Sequence, residues 1–133
     1  MTQTHYKIKI QFAKKLMTDL DIITKEKVKT KITRTYTIPW ILYRLMNIVL
    51  DLTKTICFKK KIKLNNDELK NLNALCKKRI ITKKNLDDLL QLSKIKNIIE
   101  NKFNLLTEKQ INIGLNSINS IKQFITIVKQ ETQ

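Results

Sequence analysis

Three observations predict a mainly α fold, in which a four-helix, bundle-like part follows a short basic N-terminal region. One long apolar segment occupies residues 38–58, and it contains the only proline and the only tryptophan. A helix-start pattern recurs three times after that segment. Apolar side chains repeat at helical spacing between those starts. The 133 residues suffice for a single domain, which we divide into a basic region, 1–37, and a helical core, 38–133.

The N-terminal region alternates apolar and polar residues in two stretches, 5–12 and 27–38. Alternation with a period of two is typical of half-buried β-strands, so we expect two short strands with lysines on their outer faces. Residues 13–23 have the spacing of a short amphipathic helix between them. An alternative is an extended basic arm that becomes ordered only on binding. The first stretch would present the apolar face Tyr6, Ile8, Ile10 and Phe12.

The segment 38–58 predicts a helix that is apolar nearly all round. Pro39 is suited to its first turn. A helix of this kind is either a buried central element or a membrane span, and about 20 residues suffice to cross a bilayer. We favour the buried element, and we expect its remaining exposed apolar surface to be an assembly contact, with Trp40 and Leu45 moderately buried and Arg44 exposed. The polar side chains form one narrow stripe, expected to face solvent or a polyanion: Arg44, Asn47, Asp51 and Lys54.

The three helix starts share an apolar residue, a capping residue directly after it, and a second apolar residue five positions after the first. The capping side chain accepts a hydrogen bond from a free backbone N–H, and the two apolar residues pack as a hydrophobic staple. The capping residues are Asn65, Thr82 and Thr107, and Glu68 and Gln110 complete capping boxes. With the segment 38–58, these starts predict helices at about 66–79, 83–103 and 108–130.

Charge dominates the composition. The chain has 27 basic and 11 acidic residues, a formal net charge of +16. Such a field attracts polyanions, and lysines bind phosphates with strong salt dependence and little sequence information. Nucleic acid, with DNA or RNA left open, is therefore the first partner predicted. The candidate contacts are Lys7, Lys9, Lys27, Lys29, Lys31, Arg34, Lys59, Lys60, Lys61, Lys63, Lys77, Lys78, Arg79, Lys83 and Lys84.

Residues suited to catalysis are scarce. Gly114 is the only glycine, which excludes glycine-rich phosphate loops. His5 is the only histidine and has no neighbouring carboxylates, so the sequence offers no metal-ligating cluster. Cys57 and Cys76 are expected to be packed free thiols rather than a disulfide. We therefore predict no catalytic residues, no metal, no cofactor and no enzymatic activity. No signal peptide is apparent, so we expect an intracellular protein, or one inside a particle assembled in a cell.

These observations lead to three hypotheses. The first is a structural, largely sequence-nonspecific nucleic-acid-binding protein, a self-associating subunit of a nucleoprotein assembly such as a viral coat, genome-packaging or ribosomal-type component. The second is a helical protein–protein interaction or accessory factor, viral or organellar, without a nucleic-acid role. The third is a single-span membrane protein, which the charges within 38–58 make costly.

Overall fold

The structure, a computed structural model, describes residues 3–25, 32–102 and 105–132. The chain is helical over almost all of these ranges, and no β-strand occurs within them. The mainly α prediction is therefore confirmed. The elements are α1 (Gln3–Lys25), a π-helical segment (Thr33–Thr37), α2 (Ile38–Lys59), α3 (Glu68–Lys77), α4 (Lys83–Lys102), α5 (Glu108–Asn116) and α6 (Ile118–Thr132).

Helix α2 is the central element, because every other helix packs against it. Its bounds, Ile38–Lys59, match the predicted helix over 38–58 closely. Leu42, Leu45 and Met46 are completely buried. The apolar surface that first suggested a membrane span is covered by the surrounding helices. In the described ranges, no helix combines the length and the apolarity needed to cross a membrane.

The predicted strand over 5–12 is wrong, because these residues belong to α1. Tyr6 and Ile10 are four residues apart, and the same helical spacing continues through Ala13, Met17 and Leu20, all of them buried. Ile8, which a strand would bury beside them, is 56% exposed. Eight residues of alternation fit both periods, and only the longer run distinguishes the helix. The short helix predicted over 13–23 is the second half of α1.

The second predicted strand is also wrong where it can be compared. Residues 27–31 lie outside the described part, whereas residues 32–38 are helical and lead directly into α2. Pro39 has no N–H to donate to the carbonyl of Thr35, and its ring would clash with that carbonyl in a regular α-helix. The wider π turn immediately before Pro39 avoids that clash. The chain therefore accommodates the proline without ending the helix.

The predicted helix starts are confirmed in two cases and shifted in the third. Thr107 and Gln110 form a reciprocal capping box, with N–H···O distances of 2.9 and 3.2 Å. The Thr82 hydroxyl accepts from the Asn85 N–H at 3.1 Å. In α3 the cap is Asp67, which accepts from the Leu69 N–H at 3.0 Å. Asn65, the predicted cap, instead accepts from the Asp67 N–H at 2.9 Å and shapes the preceding turn.

Two basic clusters mark helix C-termini. Lys61 and Arg79 follow α2 and α3 with φ of 57° and 59°, the left-handed conformation common just after a helix. The next residues, Ile62 and Ile80, donate backbone hydrogen bonds to carbonyls five residues earlier, at 2.8 and 2.9 Å. Both isoleucines pack against the core. Lysines at these positions also interact favourably with the helix dipole, so the clusters have a structural role.

The predicted helix over 108–130 is divided into α5 and α6 at Ser117. Gly114, in the last turn of α5, is buried against α2. A Cβ atom at this position would lie 2.5 Å from Leu42 Cδ1 and 3.3 Å from Ile95 Cδ1. The single glycine therefore permits a close approach between α5 and α2.

The cysteines agree with the prediction of packed free thiols. Cys57 is completely buried in α2, and Cys76 is half-buried on α3. Burial raises the pKa of the Cys57 thiol, which disfavours the reactive thiolate.

We expect Gly114→Ala to lower the free energy of unfolding by about 1–2 kcal/mol, because overpacking against Leu42 outweighs the usual helix-propensity gain of about 1 kcal/mol. Urea denaturation measures this. In a Leu42→Ala background the same substitution should be neutral or stabilising. A stabilising Gly114→Ala in the parent chain would contradict the close approach.

We expect Thr107→Ala to destabilise the protein by about 1 kcal/mol, because the N–H of Gln110 loses its acceptor. The control is Thr126→Ala, which removes an exposed hydroxyl from within α6 and should leave stability unchanged or slightly increased. Equal midpoints of thermal unfolding for Thr107→Ala and the parent protein would show that the box contributes nothing.

Candidate protein interaction surface

An exposed apolar surface surrounds the start of α2. Four large side chains form it, and we call them the Trp40 surface: Ile22, Tyr36, Trp40 and Leu105, with exposed fractions of 57, 59, 52 and 59%. They come from the end of α1, the π-helical segment, α2 and the connection after α4. Elements distant in sequence thus bring their unburied apolar residues to one place. Contiguous patches of this kind mark binding surfaces more often than isolated exposed residues do.

Two shallow hollows lie on either side of Trp40. One, of about 310 Å³, is almost wholly apolar and includes Tyr36, Tyr43 and Leu105 in its lining. The other, of about 320 Å³, includes Ile22 and Ile23 of α1. Trp40 lines both, so its indole ring forms a ridge between them. A partner with two apolar projections would fit this relief.

Cations border the Trp40 surface. The Arg44 guanidinium lies 5.3 Å from the Trp40 ring centroid and 5.1 Å from that of Phe12. Lys96 lies 5.9 Å from the Tyr43 ring and forms an ion pair with Glu100 at 2.8 Å. Cation–π contacts hold the rings in place and keep positive charge at the edge of the surface. Arg44 is exposed, as predicted, but Asp51 and Lys54 of the same stripe pair with Lys9 of α1 and Glu68 of α3 rather than facing solvent alone.

Arg34 anchors the π-helical segment that carries Tyr36. Its guanidinium donates to Glu108 at 2.7 Å and to the side-chain oxygen of Asn112 at 3.0 Å. The hydrogen bond with Glu108 raises the pKa of Arg34. This predicted nucleic-acid contact thus joins the π-helical segment to α5.

Other predicted basic residues are likewise engaged within the protein. Lys9 pairs with Asp51 at 2.6 Å. Lys59 donates to the Thr132 carbonyl, and Lys60 pairs with Glu131, so both are held at the end of α6. Lys83 and Lys84 form ion pairs one turn along α4 with Asp87 and Asp88.

The remaining predicted contacts are dispersed. Those within the described part are exposed and belong to α1 or to the ends of α2 and α3: Lys7, Lys61, Lys63, Lys77, Lys78 and Arg79. Lys27, Lys29 and Lys31 lie outside the described residues. The structure brings Lys7, Lys59 and Lys60 together near the end of α6 and places the Lys77–Lys84 group around the α3–α4 turn.

From the sequence we expected moderate burial of Trp40 and Leu45, whereas Trp40 is 52% exposed and Leu45 is completely buried. The exposure of Ile22 and Leu105 was not predicted. Ile22 lies off the face of α1 that buries Leu16 and Leu20. That position indicates an exposed side chain, but only once residues 3–25 are known to be helical. Leu105 directly precedes the buried staple residue Leu106. No pattern within its own segment indicates exposure, because only the tertiary fold places it beside Trp40.

The fold defines a small, all-helical protein built around one buried helix, and solved structures share it. No family model matches the chain, and no curated protein is similar to it. A crystal structure of a mutant of the toxin–antitoxin MntA-HpeT aligns with a TM-score of 0.79 at 16% identity, over 94% of this chain and 98% of the other. A crystal structure of a toxin–antitoxin with AMP-PNP aligns at 0.78 and 15%, over 96% and 99%.

These likenesses correct the first hypothesis. The end-to-end structural matches are toxin–antitoxin proteins, rather than viral coat, genome-packaging or ribosomal-type subunits. The prediction of a structural nucleic-acid-binding protein is therefore wrong. It depended on net charge, which bears on nonspecific attraction and solubility but not on the fold.

We expect Trp40→Ala to change the free energy of unfolding by less than about 1 kcal/mol, since the ring is already half in water. Leu45→Ala, one turn later and completely buried, should cost about 2–5 kcal/mol. Chemical denaturation of both variants tests the contrast. A comparable loss in both would place Trp40 in the core instead of on a binding surface.

Proposed function

We propose that this chain is the partner-binding member of a two-protein system of the toxin–antitoxin kind, and that it contacts its partner through the Trp40 surface. This proposal develops the second hypothesis, a helical interaction factor, by specifying the kind of two-protein system and the surface that binds the partner. The observation that carries the proposal is the joint exposure of Ile22, Tyr36, Trp40 and Leu105 at one end of α2.

The chemistry of the surface supports a protein partner. Tryptophan, tyrosine and arginine are enriched at the energetic centres of protein interfaces, where rigid rings contribute a large contact area. Trp40, Tyr36 and Arg44 supply these residue types within one patch, and the two hollows beside Trp40 supply relief. Burying such rings in water-excluding contacts yields more free energy than burying the same area of scattered side chains.

Charge favours a different protein over a second copy of this chain. Two molecules that each carry a formal charge of +16 repel one another. Beside the surface, Arg44 adds positive charge, whereas Lys96 is paired with Glu100 and Asp19 lines the hollow that includes Ile22. A partner with an apolar ridge and acidic residues around it complements both features and associates faster through electrostatic steering.

The structural neighbours support the class of system. Both aligned structures are described as toxin–antitoxin, and each alignment includes nearly all of both chains. We further propose that this chain acts by binding rather than by catalysis. His5, its only histidine, is exposed on α1, and among the described residues no three of His, Cys, Asp or Glu are grouped to hold a metal ion.

Site-specific photo-crosslinking in the source cells tests this proposal. A photoreactive phenylalanine analogue at position 40 should crosslink to one acidic protein in a stoichiometric complex. Position 58 is the matched control, because Phe58 is an exposed aromatic on the same helix, 75% exposed, about 27 Å away along the axis. Purified complex should dissociate at least about tenfold faster after Trp40→Ala, as expected of an interface centre.

The toxin–antitoxin part of the proposal is tested by growth. This chain and the crosslinked protein are expressed separately and then together. One of the two should arrest growth when expressed alone, and expression of both should restore growth. Crosslinks to this chain itself, or equal crosslinking from positions 40 and 58, would contradict the interface. Normal growth under all three conditions would contradict the class of system.

A further inference from the structure

A narrow cleft separates α1 from α6. The two helices run antiparallel, since the Tyr6 hydroxyl donates to the Thr132 carbonyl at one end, 3.2 Å, and Asp21 pairs with Lys122 at the other, 3.8 Å. Both pack against α2, α1 from one side and α6 from another. Between the two tie points the cleft contains adjoining hollows of about 330 and 460 Å³.

Lys14 and Lys129 occupy the junction of the hollows, since both residues line both of them. Lys7 extends the basic lining at one end and Lys122 at the other. Among the residues that the structure describes, the one carboxylate in the lining is Asp21, which is paired with Lys122. Glu131, the other acid near the end of α6, pairs with Lys60 of α2. In the described part of the chain, Lys14 and Lys129 thus share the junction of the two hollows without an acid of their own.

The cleft is suited to a small anion rather than a peptide helix. Its apolar floor is already covered: Ile10 and Met17 are each 5% exposed, and Ile125 is 3% exposed. A docking helix would find little apolar surface to bury. The hydroxyl of Thr18 and the amide of Gln11 add hydrogen-bond donors to the lining, whereas the Thr126 hydroxyl donates to the Lys122 carbonyl at 3.2 Å.

We propose that Lys14 and Lys129 bind the phosphoryl group of a small phosphorylated molecule, whose remaining atoms lie in one of the adjoining hollows. A dianion between two ammonium groups satisfies both charges and gains charge-assisted hydrogen bonds from each. The hollows have the volume of small-ligand sites, about 300–1,000 Å³. This site is separate from the Trp40 surface, and its test does not depend on the partner.

The electrostatics of the pair supply a second measurement. Hydrogen bonding to Lys14 and the nearness of its positive charge lower the pKa of Lys129. A bound phosphoryl group favours the charged form, so it should raise the pKa of Lys129. Lys14→Gln should also raise it, by removing the neighbouring ammonium.

Calorimetric titration of the full chain at constant ionic strength provides the binding test. The probes are inorganic phosphate, adenosine monophosphate and sulfate. Lys14→Gln with Lys129→Gln should weaken phosphate binding by at least about tenfold, as loss of two charge-assisted hydrogen bonds implies. The matched control, Lys77→Gln with Lys78→Gln, removes the same charge from the exposed end of α3 and should bind within twofold of the parent.

The outcomes separate the sources of the phosphoryl group. Tighter binding of the monophosphate than of phosphate indicates an ester that also fills a hollow, whereas equal binding indicates free phosphate; either supports the site. Equal losses of phosphate affinity in the two double variants would mean that only the net charge matters, and would overturn the proposed site. No saturation of the parent protein by about 10 mM of any probe would also overturn it. Nuclear magnetic resonance of the lysine side chains checks the rise in the pKa of Lys129.

Discussion

The burial of α2 is the constraint on which the rest of the structure depends. Fourteen of its 22 residues are buried, and a helix that is apolar on nearly every side must be covered on nearly every side. Each remaining helix covers one strip of it, so their positions follow from that requirement. The polar stripe is also accommodated: Asp51 and Lys54 pair with α1 and α3, and Arg44 lies over aromatic rings. The large apolar side chains of α2 that remain exposed lie at its two ends, Trp40 in the first turn and Phe58 in the last.

The elements that could be predicted are those whose signals are local. A helix start is determined by a few adjacent residues, so the capping box at Thr107 and the cap at Thr82 appear where expected. The start of α3 shifted because Asn65, Asn66 and Asp67 can all cap, and Asp67 does so. The Asn71 side chain instead fixes the Asn65 backbone, accepting from its N–H at 2.7 Å and donating to its carbonyl at 3.1 Å. The strand prediction failed because its window was too short. Extending the pattern from Tyr6 to Leu20 favours a helix.

The candidate surfaces were less predictable, because each consists of residues from separate elements. Trp40 and Leu105 belong to α2 and to the connection after α4, and Lys14 and Lys129 are 115 positions apart in the sequence. Positive charge was the most prominent feature of the sequence, and the nucleic-acid prediction gave it too much weight. Among the described residues, five basic side chains pair with acids of other elements, and Lys61 and Arg79 terminate helices. The net charge already subtracts these acids, so it reports an excess of positive charge but not where, or whether, a ligand binds.

Helix α1 links the two candidate surfaces, since it forms a wall of each. Ile22 contributes to the Trp40 surface and Lys14 to the cleft, eight residues or about 12 Å apart along the axis. Both positions are fixed by the same buried seam against α2, which includes Ala13 and Leu16. Substitutions in that seam would disturb partner binding and anion binding together, whereas substitutions at the two exposed rims affect them separately. The experiments on each surface therefore use exposed residues, so that a lost interaction is not confused with a displaced helix.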